Sequence, residues 1–273
     1  MSDGTLTAVE GAEPVVAYQL LGPERSVLAE HLPQQTFTPA STLKLAVLIA
    51  AARALEAGEL ALDQPVPAVS RWSSLYDGSE FQFDGDEVDP DWPTDDRDLP
   101  LGEILERMIV VSSNEATNVV YDLVGADSIA QVFADAGCQH SALKRKYGDM
   151  LAARHLGGVS ACTAGDLAAL MAAAVGGDLV NKQWTRFITE LLGRQQDAVI
   201  GAVVEQTWGA ESYWGSKSGW VDRIRHDVAY MGTPGGADYV LAVCTRGFPD
   251  HPSAVAAIRA LTRGLLQSLE APH

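Results

Sequence analysis

Phe37-Thr38-Pro39-Ala40-Ser41-Thr42-Leu43-Lys44 leads into Leu43–Leu55, a run that is apolar on every side apart from Lys44 and Arg53. A helix without a polar face belongs in the middle of a domain, so this stretch decides where its neighbours must pack. Upstream, Val15–Leu20 and Ser26–Glu30 read as short strands around Gly22-Pro23. Downstream, helical spacing covers Leu101–Val110, Glu115–Val124 and Ser128–Ala136. Thr163 is placed to cap a helix over Gly165–Val175, and Asn181 another running through Leu192. Strand-like runs return at Tyr213–Val221, Asp227–Met231 and Tyr239–Cys244, the last two joined by the turn Thr233-Pro-Gly-Gly236. Ser253–Glu270 is an amphipathic closing helix.

Strands, a helical middle, more strands and a last helix predict an α+β fold. The N- and C-terminal strands form one antiparallel sheet flanked by helices, with an all-helical lobe inserted. The expected organisation is one domain over residues 1–273. Its α/β lobe covers about 10–60 plus 205–273, and its helical lobe about 61–204. Between the lobes lies a cleft.

Charge narrows the function. The 36 acids against 19 bases give a net charge of −17, the wrong field for phosphate backbones or anionic membranes, so neither nucleic acid nor membrane is an expected partner. Asp77–Asp98 alone holds ten acids and one base, over half of that excess, and reads as an acidic loop at 77–98 without periodicity. With 47% hydrophobic residues the chain is globular. Cys138, Cys162 and Cys244 form no CxxC pair, which predicts neither a disulfide framework nor a thiolate metal site. No metal or cofactor is expected. The N-terminal Met1-Ser-Asp-Gly-Thr lacks the basic and apolar regions of a signal peptide, so the expected location is cytoplasmic.

Three clusters carry chemistry. Ser41 and Lys44 lie three apart, on one face of a helix. Lys44 sits in the first turn among apolar neighbours, where both desolvation and the helix dipole lower its pKa and make it a base for a hydroxyl. Helix capping by Ser41 and a snorkelling Lys44 explain the same pair. Ser112-Ser113-Asn114 precedes a helix; its hydroxyl and amide could relay a proton and hold a carbonyl, or simply cap that helix. Lys217-Ser218-Gly219 lies in a strand, where alternation turns Ser218 away from Lys217 and Gly219, and Gly219 admits a close backbone approach. An edge strand protected by a lysine reads equally well there.

Together, SxxK, SxN and KSG in this order resemble the class A β-lactamase and penicillin-binding-protein superfamily of active-site serine enzymes. The likeness runs from about Val15 to the last helix, and its specific parts are 37–44, Met108–Asn118 and Lys217-Ser-Gly-Trp220. The resemblance implies a β-lactamase/transpeptidase-like fold. It makes Ser41 the nucleophile, Lys44 its base, Ser112 the proton relay and Asn114 a contact to the substrate amide. Lys217 would complete the proton network and, with Ser218, attract a substrate carboxylate. The backbone N–H groups of Ser41 and Trp220, beside Gly219, would form the oxyanion hole. Asn118 would be the structural asparagine near the omega loop.

One departure matters. Class A β-lactamases carry an omega-loop glutamate shortly after an arginine, and it activates the deacylating water. If Arg145 matches that arginine, Tyr147 stands where the glutamate would be, and no glutamate occurs between Glu115 and Glu190. Asp149 is the nearest carboxylate and reads better as a loop cap. The expected protein is therefore a serine hydrolase or acyltransferase acting on a small-molecule amide, ester or lactam through a Ser41 acyl-enzyme, slow on penicillins. A non-catalytic ligand-binding or biosynthetic partner protein on the same fold is the alternative. His226 reads as a structural hydrogen-bonder, and the acidic loop as solvated.

Overall fold

The computed structural model describes residues 13–95, 97–156 and 159–270. The N-terminal pentapeptide read above, and Asp96 of the acidic run, lie outside the described residues.

Strands β1 (Val15–Leu21) and β2 (Val27–His31) open the chain. A 3-10 turn, Ala40–Leu43, then feeds helix α1 (Lys44–Glu56). Short strands β3 (Pro65–Pro67), β4 (Trp72–Ser73), β5 (Glu80–Phe81) and β6 (Asp98–Pro100) lead to α2 (Leu101–Val110). Helices α3 (Asn114–Val124), α4 (Ala126–Asp135), α5 (Met150–His155), α6 (Ala164–Gly176), α7 (Lys182–Leu192) and α8 (Ile200–Trp208) follow. Strands β7 (Tyr213–Val221), β8 (Ile224–Gly232) and β9 (Asp238–Arg246) and helix α9 (His251–Glu270) close the chain. The main sheet runs β2-β1-β9-β8-β7, antiparallel throughout. The N- and C-terminal strands thus share one sheet, as expected.

Period-two alternation gives this sheet two buried faces. Val240, Ala242 and Cys244 of β9 join Ala17, Leu21 and Val228 in a core with α1 and α6. Leu241 and Val243 join Leu20, Ala229 and Met231 in a second core with Val203 of α8 and Ile258 of α9. α1 is the buried axis that its all-apolar sequence requires: every residue from Lys44 to Ala52 is buried. Thr163 and Asn181 cap α6 and α7 with their side chains, as their positions predict.

Two readings are corrected. The acidic stretch is not simply solvated: Asp89 is buried, and Arg107 of α2 donates to both of its carboxylate oxygens at 2.9 and 2.6 Å. Ser41 lies not in the α-helix proper but in the tight turn before it, which puts its backbone N–H ahead of the helical hydrogen-bond ladder. Among the described residues no helix is long and apolar enough to cross a membrane.

Candidate functional site

Ser41, Ser112, Asn114, Ser218, Gly219 and Trp220 line one cleft of about 590 Å³, together with Tyr147 and Asp197. Lys44 and Lys217 lie beneath its floor, both fully buried. Two backbone residues that line the cleft adopt the left-handed region without being glycine: Ala40 (φ 47°), directly before Ser41, and Ser112 (φ 62°). Each such conformation costs about 1–3 kcal/mol and persists only where surrounding contacts enforce it.

The floor is organised around the Ser112 hydroxyl. Lys44 Nζ donates to Ser112 O at 2.6 Å, Asn114 Oδ1 at 2.8 Å, and Ser112 Oγ and Ser113 O at 3.3 Å. Lys217 Nζ reaches the same Ser112 Oγ at 3.1 Å, and also Gln195 Oε1 at 3.1 Å and Ser218 O at 2.8 Å. One hydroxyl therefore bridges two buried amines. Burial drives both pKa values down. Lys217 falls to about 7. Lys44 falls well below the usual lysine range, pushed further by the positive charge of Lys217. An amine so destabilised as ammonium gives up its proton more readily than a free lysine.

Ser113 does what a helix-capping serine should. Its Oγ accepts from Ala116 N at 3.2 Å and donates to the buried Glu115 at 3.2 Å. This leaves Ser112 and Asn114, on either side of the cap, pointing at Lys44. Asn114 also donates to Glu87 O at 3.1 Å, which ties the acidic loop to the cleft.

Gly219 brings β7 against the Ser41 turn. A Cβ placed there would sit 2.6 Å from Ser41 N and 3.0 Å from Thr42 N, so only glycine permits the approach. Ser218 faces the cleft as well, although simple alternation turns it away from Lys217. β7 is the edge strand, and the cleft runs along its open edge, so side chains of both faces reach it. Lys217 does not protect that edge in solvent; it is buried inside. Trp220 is half-exposed and meets His251 edge-on at 4.8 Å.

Tyr147 lines the same cleft as Ser41. Its backbone is held by Asn118 through paired bonds, Tyr147 N to Asn118 Oδ1 and Asn118 Nδ2 to Tyr147 O, each 2.9 Å. Its phenol donates to Ala40 O at 3.0 Å, and its ring lies 5.0 Å from Lys44 Nζ. Burial raises the phenol's pKa far above its ordinary value, so it is no base at neutral pH. Asp149 is engaged elsewhere: its carboxylate accepts from Ser74 Oγ at 2.7 Å, Leu75 N at 2.8 Å and Ala152 N at 2.9 Å, capping α5.

A model of the beta-lactamase enzyme family matches residues 7–269. The chain belongs to this family. Among solved structures it is similar to a β-lactamase from Sphaerobacter thermophilus DSM 20745, with 28% identity over 95% of this chain and 94% of that one and a TM-score of 0.76. A mutant of PBP-A, as an acyl-enzyme complex with penicillin G, shares the fold at 20% identity, 94% and 90% coverage and a TM-score of 0.75. So does a mutant class A β-lactamase of the last common ancestor of Gram-negative bacteria, at 17% identity, 95% and 94% coverage and a TM-score of 0.76. No curated protein matches. The β-lactamase-like fold expected from the three motifs is thus the fold observed.

Some site residues carried no signal in the sequence. Gln195 anchors Lys217 from the loop after α7, and Asp197 pairs with Arg225 of β8 (Nη2 to Oδ1 2.7 Å). Neither belongs to a motif; each is brought in by chain closure over 22 and 28 residues. His226 is structural, as read: its Nε2 faces Thr38 O at 2.9 Å and its Nδ1 accepts from Thr245 N at 3.1 Å. It lies with Cys162 and Cys244 in a buried group whose ligand-type atoms are within 4.8 Å of one another. Both of its nitrogens are already committed to backbone partners, so a metal there would have to displace one.

Proposed function

We propose that this protein is an active-site serine hydrolase or acyltransferase that works through a Ser41 acyl-enzyme on an amide, ester or lactam. The observation that carries the reading is the Ser112 hydroxyl within hydrogen-bond reach of two buried amines, at 3.3 Å from Lys44 and 3.1 Å from Lys217. Ser41 Oγ attacks the substrate carbonyl while its proton passes to neutral Lys44. The backbone N–H groups of Ser41 and Trp220 receive the developing oxyanion. Lys44 returns the proton through Ser112 Oγ to the leaving nitrogen or oxygen, with Lys217 supporting the relay. The C–N or C–O bond breaks and the acyl group stays on Ser41. Asn114 holds Lys44 through its Oδ1 and offers its amide to the substrate.

For deacylation, neither Tyr147 nor Asp149 supplies an equivalent base. Tyr147 occupies the wall with a phenol that keeps its proton, and Asp149 is bound up as a helix cap. Penicillins therefore acylate Ser41 and leave slowly. The same observation favours a second reading, a ligand-binding protein without turnover.

Intact mass after incubation with penicillin G and with a fluorophosphonate probe tests both. One adduct per chain, absent from Ser41→Ala, is expected. No adduct with either reagent would overturn the acyl-enzyme reading, and a ligand-induced thermal shift without any mass change would support the binding protein instead.

A further inference from the structure

Asp197 occupies a position in the cleft that a substrate group could otherwise take. Arg225 donates Nη1 to Asp197 Oδ2 and Nη2 to Oδ1, each at 2.7 Å, a two-pronged grip on one carboxylate. Ser218 Oγ donates to Asp197 Oδ2 at 3.3 Å. The Arg225 side chain is 5% exposed and that of Asp197 50%, so the cation is built into the wall and its anion faces the opening. A guanidinium and a hydroxyl converging on a carboxylate make an anion clamp, and Ser218 and Asp197 line the same cleft as Ser41. Here the clamped anion belongs to the chain itself.

The charges left facing the cleft have one sign. Lys217, expected to attract a substrate carboxylate together with Ser218, lies beneath the floor with Ser112, Gln195 and Ser218 O as its acceptors. Asp86, Glu87, Asp91 and Asp222 line the opening, and among the described residues no lysine or arginine does. A substrate carboxylate would meet a filled clamp and a repelling rim.

We propose that Asp197 is a specificity-determining residue: its carboxylate fills the Ser218–Arg225 clamp, so Ser41 is acylated faster by neutral or ammonium-bearing substrates than by those that carry a carboxylate, penicillins included. This rests on the Ser41 acyl-enzyme reading, and its test separates the two. The probes are p-nitrophenyl hexanoate, its ω-ammonium analogue and its ω-carboxylate analogue. Ser41 acylation is followed by nitrophenol release and intact mass. In the unaltered protein the carboxylate ester reacts at least about tenfold more slowly than the neutral ester, and the ammonium ester no more slowly than it. In Asp197→Asn the carboxylate ester gains at least about tenfold relative to the neutral one, because Arg225 is released to it. Equal rates for all three esters in the unaltered protein, or an equal loss for all three in Asp197→Asn, would overturn the proposal. If Asp197→Asn does not fold, the ordering in the unaltered protein decides alone. If no ester acylates Ser41, the acyl-enzyme reading fails, and dissociation constants of the three esters on the Ser41→Ala protein decide the charge preference: the same tenfold ordering supports it and equal constants overturn it.

Discussion

The floor of the cleft and the wall facing it are built to opposite ends. On the floor, two buried amines share a hydroxyl: Lys44, Ser112 and Lys217 are held at 3.1–3.3 Å, and burial lowers both amine pKa values. Protons there are loosely held. On the wall, the Tyr147 phenol is raised far out of the useful range, and the nearby Asp149 carboxylate is buried and accepts three hydrogen bonds. The phenol keeps its proton and the carboxylate is taken up by structure. The difference teaches that forming and breaking the acyl-enzyme are separable demands on one fold. A cleft can keep the first set of groups complete while the second is converted to structural work.

The largest expected effect comes from giving the wall a free base. Tyr147→Glu puts a carboxylate in the cleft that Ser41 lines, at the cost of the Tyr147 bond to Ala40 O. Turnover of penicillin G, followed as decay of the Ser41 adduct by intact mass, should rise by about 10²-fold or more, the usual worth of a positioned general base. An unchanged adduct lifetime in a folded Tyr147→Glu protein would show that the wall is not what limits deacylation. Asp149→Asn is the contrasting change. It weakens the cap of α5, lowering stability by about 1 kcal/mol or more, and leaves both acylation and deacylation as they were.

How much of this was legible from sequence differs element by element. α1 could be read because a helix with no polar face has one place to go. Ser113, Thr163 and Asn181 could be read as caps because each bonds a backbone N–H within three residues. Helix α8 left no such mark: the N–H groups of Val199 and Ile200 are satisfied by Asp227, which arrives from β8 rather than from the preceding loop. The short strands β3 and β6 pair Pro65 with Pro100 and Val66 with Leu99 across a stretch dominated by acids, so neither run alternates long enough to announce itself. At the site, Ser41, Lys44, Ser112 and Lys217 stand out because their chemistry depends on fixed local spacing. Gln195 and the Asp197–Arg225 pair depend only on which loops meet, and no local pattern records that.

A smaller effect tests the floor through stability. Lys217 has its pKa lowered to about 7 in the folded protein, against about 10.4 in an unfolded chain. Between those values the unfolded state binds more protons, so this group's contribution to stability improves as pH rises from 7 toward 10 and is at its least favourable below 7. Lys217→Met removes the buried charge. Even after losing three hydrogen bonds, it should be more stable than the unaltered protein at pH 6 by on the order of 2 kcal/mol, with the gain shrinking toward pH 10. Urea unfolding at the two pH values reads this directly. Acylation by a fluorophosphonate should fall by about 10²-fold or more in the same variant. In the unaltered protein acylation should climb with pH through about 7 as the floor loses its proton. A Lys217→Met protein less stable at every pH would mean that the hydrogen bonds outweigh the desolvation and that the floor is not under electrostatic tension.

The least effect is expected where backbone strain joins floor to wall. Ala40 holds φ 47° immediately before Ser41, and its carbonyl accepts the Tyr147 phenol. Its left-handed conformation is enforced from both sides, by that bond and by Gly219 packed against the Ser41 turn. Ala40→Gly removes the side chain that makes the conformation costly and adds unfolded-state entropy, two terms of opposite sign. The net gain should be no more than about 1 kcal/mol, read as a small rise in Tm. Ser41 acylation separates two views of the strain. If the surrounding contacts alone hold the turn, the acylation rate stays within about twofold, since glycine adopts the same φ without penalty. If the strained alanine itself keeps Ser41 aimed at the carbonyl, the glycine variant gains stability and loses rate together. The floor's geometry would then depend on the wall through a single residue.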